Sequence, residues 1–193
     1  MDTKFSQSLA AITQAQAADP RQISCDGKAA PYEVVYAERM RHWTRILAPQ
    51  GSEELQLAVS AQHIRRWELP RSSYAMDRKG YLQWREALKK FHAQILSDLM
   101  QQHGYAAAQI QKATHLILRK NMAADAEGQT LEDAACLTFL ELDFADLLAK
   151  TPSAKMISIV QKTWQKMSAA ARALALARHY SATETKILRA ALA

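Results

Sequence analysis

Apolar residues recur every three or four positions along most of the chain, the spacing of one face of an α-helix rather than the alternation of a half-buried strand. Phe5, Leu9 and Ile12 mark an amphipathic helix over Phe5–Ala17 that stops before Asp19-Pro20. Tyr32, Tyr36, Met40, Trp43 and Leu47 form the stripe of a second helix, started by Pro31 and ended before Pro49. Ser52 with Glu53 and Glu54 reads as the cap and acidic first turn of a third, expected to run to about Trp67. Asp77 caps a long fourth helix reaching His103-Gly104, and Ala106–Lys120 is the fifth. Thr130–Lys150 reads as a sixth, strongly apolar helix, with Thr130 to Asp133 as its capping sequence. Thr151-Pro152-Ser153 breaks into a seventh that includes Trp164 and Met167, and Ser181 with Glu184 makes a capping box for the last. No strand pair or internal repeat is expected. The predicted fold is all-α: a single-domain helical bundle with its core over about 31–150 and further helices over 153–193.

Composition narrows the class. Only five Gly and five Pro in 193 residues argue against an all-β chain and against glycine-rich dinucleotide loops. Cys25 and Cys136 cannot form a disulfide framework and have no metal-ligand spacing, which suits a reducing compartment and makes the cytoplasm the expected location. No apolar run approaches the roughly 18 residues of a membrane span, so no membrane partner is expected. The net charge of +6 is uneven. Residues 61–92 carry +5 and 153–193 carry +6, with an acidic stretch of −4 over 93–152 between them. Two basic blocks suit a phosphate-bearing ligand or nucleic acid, and a solvated helical surface equally.

Titratable groups on apolar helix faces are the candidates for chemistry, because burying them unpartnered costs several kcal/mol. His63 is spaced with Leu55 and Val59, His92 lies among Leu88, Ile95, Leu96 and Leu99, and Asp133 shares a side with Leu137, Leu140 and Glu141. Two imidazoles and a carboxylate from three helices make a candidate site for a divalent metal such as Mn, Fe, Co, Ni or Zn. Each has a plainer reading as a satisfied core histidine or a helix cap. The densest local signal is His63-Ile64-Arg65-Arg66-Trp67-Glu68-Leu69-Pro70-Arg71-Ser72-Ser73. Arg66, Arg71, Ser72 and, from the fourth helix, Lys89 are candidate phosphate ligands; Arg85 and Arg119-Lys120 are further cations that can converge there. Trp43, Trp67 and Trp84 read as core by their spacing, and Lys166-Met167-Ser168 as a helix segment rather than a synthetase signature loop.

Tyr36 to Met40, Ala61 to Tyr74, Met76-Asp77-Arg78, Lys90-Phe91-His92 and Thr130 to Leu137 together resemble the uncharacterised domain-of-unknown-function 4202 family over nearly the whole chain. The order of residues is also similar to HD-type metal-dependent phosphohydrolases, which use a His, a His-Asp pair, later His residues and a late Asp. By that resemblance His63, His92 and Asp133 would be metal ligands, while Ile64 stands in place of the paired Asp and Tyr36 in place of the first His. The implied function is hydrolysis of a nucleotide or other small phosphate ester, with Glu132 or Glu141 as general base. Two other readings stand beside it: a non-catalytic nucleotide- or RNA-binding module using the basic patches, and a structural helical domain.

Overall fold

The computed structural model of the chain describes residues 3–25, 27–119 and 125–193. Ten α-helices account for most of these: α1 Lys4–Gln16, α2 Tyr32–Leu47, α3 Glu53–Ser60, α4 Arg78–Gln102, α5 Ala107–Leu118, α6 Ala126–Thr138, α7 Phe144–Ala149, α8 Ser153–Lys166, α9 Ala169–Leu176 and α10 Ala182–Leu192. Most boundaries follow local chemistry. The Ser52 hydroxyl accepts from the Leu55 N–H at the start of α3, the Asp77 carboxylate accepts from the Gly80 N–H at the start of α4, and Ser181 and Glu184 cap α10 reciprocally. Gly104 ends α4 at φ +75°, a conformation that costs glycine little. Lys120, expected at the end of the fifth helix, lies outside the described residues.

Helix α2 packs along α6, α4 against α5, and α3 against α2 and α5. Their apolar stripes meet in one core containing Met40, Leu55, Leu57, Ile64, Leu96, Met100, Leu131 and Phe144. At roughly 1.5–3 kcal/mol for each large side chain withdrawn from water, this core is the main source of stability. Helices α8 and α10 pair beside it. No helix of the described residues is long and apolar enough to cross a membrane.

Four local expectations are corrected. First, the stretch after Pro20 forms an antiparallel hairpin, β1 Gln22–Cys25 with β2 Lys28–Pro31, in which the backbone of Cys25 pairs in register with that of Lys28 and Gly27 takes φ +76°. The Asp-Gly pair was the available signal. Second, α3 ends at Ser60, so His63 lies in a tight turn and not on the apolar face of a helix. Third, α6 starts four residues before Thr130, capped by Asp125, and the expected single helix is interrupted by a π-helical segment, Phe139–Asp143. Fourth, Lys166-Met167-Ser168 is a helix junction, with Met167 extended and Ser168 capping α9.

Candidate anion site at the turn after helix three

The position of the 61–69 turn is set from α2. Asp19 accepts from the Arg21 and Glu33 N–H groups at 2.9 and 3.0 Å, anchoring the entry to α2. The Glu33 carboxylate then accepts from two successive N–H groups, Arg65 at 2.8 Å and Arg66 at 2.7 Å. Consecutive N–H groups aimed at one anion form a nest, and Arg65 makes this possible by taking φ +54°. Glu33 is 2% exposed. Burial raises its pKa to about 8, against the opposing pull of the two N–H donors.

This clamp places Arg66 beside two histidines. His63 stacks on Tyr36 with ring centroids 3.9 Å apart and 17° between planes, and its centroid is 6.3 Å from that of His92. His92 bonds the Ile64 carbonyl through Nδ1 at 2.8 Å. A carbonyl only accepts, so Nδ1 carries the proton and the buried Nε2 keeps an unshared lone pair with no partner. Arg66 approaches His63 Nε2 at 3.4 Å. A guanidinium only donates, so the His63 proton sits on Nδ1, which is also buried and unpartnered. Both rings are held neutral. Burial first, then the charges of Arg66, Arg85 and Arg119, put the His63 pKa well below its ordinary 6.5. Burial brings His92 down to about 4, with the Ile64 hydrogen bond opposing and Arg66 adding to the fall.

The cations are supplied by three elements. Arg66 comes from the turn and lies over the Trp84 ring at 4.7 Å. Trp84 is oriented by an indole N–H bond of 2.8 Å to the Leu69 carbonyl. Arg85, one residue on, donates to the Tyr81 hydroxyl at 3.1 Å. Arg119 follows α5 at φ +55°, pairs with Glu132, and leaves its Nε buried without a partner. Among the described residues no carboxylate lies within ion-pair distance of Arg66 or Arg85. On the other flank, Tyr32 donates to Asp143 at 2.7 Å, and burial raises the Asp143 pKa.

The remaining sequence candidates are engaged elsewhere. Asp133 is buried but accepts from Gln129 and, at 2.8 Å, from the Ser168 N–H, which ties α6 to the junction before α9. Glu132 binds Arg119 and Lys166. Glu141 accepts from the Trp43 indole at 2.9 Å and meets Arg39 and Arg178. Arg71 donates to the carbonyls of Tyr74, Ala75 and Asp77, so it holds the connection before α4. Ser72 is exposed, and Lys89 pairs with Glu86. His63, His92 and Asp133 are therefore not brought together. Among the described residues no three His, Cys, Asp or Glu side chains form a group able to hold a metal. Two imidazoles among guanidinium groups do not fit a resident divalent cation, which needs about three protein ligands and a less positive surround.

Beside the site stand Arg85 and Arg119, expected as further cations, together with Tyr36 and Asp143, which the sequence did not single out as ligands. Arg85 was visible as the start of an i, i+4, i+7 series with Lys89 and His92. Asp143 had no signal, because it depends on the π-helical segment. In a regular helix Glu141 and Asp143 would be about 200° apart, whereas here both reach α2.

No curated protein and no solved structure matches the chain. The family model described as Domain of unknown function (DUF4202) matches residues 6–188, nearly the full length, and the chain belongs to that family.

Proposed function

We propose that the chain recognises a phosphorylated small molecule where Arg66, Arg85, His63 and His92 meet. The observation that carries this reading is a set of guanidinium groups whose charges act on His63, two of them without a carboxylate partner, beside neutral imidazoles that have orphaned ring nitrogens. A buried polar atom without a partner is uncommon and asks for an explanation. A bound phosphate supplies one for the His63 nitrogen: it accepts from the guanidinium N–H donors, offsets their mutual repulsion, and accepts from the His63 Nδ1–H. It also removes part of the cause of the low histidine pKa values, so binding takes up protons in mildly acid solution.

The HD-type hydrolysis suggested by the order His63, His92, Asp133 depends on a metal that this donor set fits poorly, so the proposal is recognition. Calorimetric titration with inorganic phosphate at low salt tests it. Arg66→Ala and Arg85→Ala are each expected to weaken binding about 10- to 100-fold, the scale of one or two charge-assisted hydrogen bonds. Unchanged affinity in both variants would remove the site. Uptake of Mn or Zn that disappears in His92→Ala would return the metal-dependent reading. RNA binding that is steeply salt-dependent and indifferent to Arg66→Ala would favour the basic-patch module instead.

A further inference from the structure

Helix α4 carries one stripe from solvent to the anion site: Tyr81, then Trp84 and Arg85, then Leu88, then His92. Exposure falls along it, from 42% at Tyr81 to 9% at Trp84 and 3% at His92. The open end is thus at Tyr81, whose hydroxyl already holds Arg85 and whose ring centroid is 5.9 Å from that of Trp84. Beside it the connection 71–77 is tightly built yet displays Met76, 81% exposed. Arg71 fixes the carbonyls on both sides of Met76. Gly80 lets the same strand of chain lie on the first turn of α4, since a Cβ there would stand 2.1 Å from the Ala75 carbonyl oxygen. A mobile tip would expose a methionine without consequence. A clamped connection that ends beside an exposed tyrosine holding the Arg85 guanidinium has the makeup of a binding rim: a ring face for a ligand body and a cation for its phosphate.

We infer that the ligand joins its phosphate to a planar ring, as a nucleoside monophosphate does, with the ring resting on Tyr81. This rests on the phosphate-recognition reading above. Stacking of a base on an aromatic side chain contributes about 1–3 kcal/mol. The test is calorimetry with three probes: inorganic phosphate, ribose 5-phosphate and AMP. AMP is expected to bind at least about 5-fold more tightly than ribose 5-phosphate. Tyr81→Ala should abolish that difference, and Tyr81→Phe, which keeps the ring, should retain it. Equal affinity for AMP and ribose 5-phosphate in the unaltered protein, or a preference for AMP that survives Tyr81→Ala, overturns the inference while leaving phosphate recognition standing. Failure of all three probes to bind overturns phosphate recognition, and this inference with it.

Discussion

Residues 61–92 and residues 153–193 carry nearly the same net charge, +5 and +6, and use it differently. In the first block Arg66 is drawn inward over Trp84 beside two neutral histidines, and neither it nor Arg85 meets a carboxylate. In the second, Lys155, Lys162, Lys186 and Arg189 are exposed, Lys166 pairs with Glu132, and Arg178 pairs with Glu141. A solvated cation is screened within about 10 Å at ordinary salt, whereas a partly desolvated one acts strongly on its neighbours. Equal charge therefore yields a candidate binding site in one block and a hydrated surface in the other.

The sharpest way to break this contrast is to remove the clamp that draws Arg66 inward. Glu33→Ala removes the acceptor of the Arg65 N–H and leaves the Arg66 N–H with the His63 carbonyl alone; at roughly 1–3 kcal/mol for the orphaned donor and about 1 kcal/mol for the second lost bond, it should destabilise the protein by about 3 kcal/mol in urea unfolding and weaken phosphate binding as well. An effect below about 1 kcal/mol would mean that the turn is held by packing alone.

The second way is by pH. The folded pKa of His92 lies below its ordinary value, so its contribution is complete above pH 6.5 and is lost as pH falls towards 4. Glu33 has the opposite sign: its contribution is complete below about 4.5 and declines as pH rises through about 8. The two oppose each other between pH 4.5 and 6.5, so the readout is a difference between proteins. His92→Asn can keep a donor to the Ile64 carbonyl without titrating. Relative to that variant, the native protein should lose on the order of 3 kcal/mol between pH 6.5 and 4. A difference that stays constant with pH would show that His92 is not held neutral.

The smallest expected effect lies in the second basic block. Replacing Lys155, Lys162 and Arg189 together by Ala should change phosphate affinity less than 2-fold at 0.15 M salt, because screening removes distant exposed charges. A loss comparable to that of Arg66→Ala would erase the distinction between the blocks.

How much was legible follows from the range of each interaction. Ser52, Asp77 and Ser181 marked helix starts because a cap bonds within three residues. His92 was recognisable as a buried titratable group because α4 presents a regular stripe. His63 was singled out on a helix that in fact ends three residues earlier, and its importance comes from the stack on Tyr36 and the approach of Arg66. Asp133 had the burial expected of a ligand but turned out to hold the Ser168 backbone.

By itself the sequence determined the helical class, most caps and the apolar stripes, since these depend on residues three or four apart along one element. Only the tertiary structure decided which polar groups share a site. Glu33 had to reach a turn 32 residues away, and Arg66, Arg85 and Arg119 had to arrive from three elements. The energy of such a cluster depends on distance and burial in space, and neither quantity is written in the spacing along the chain.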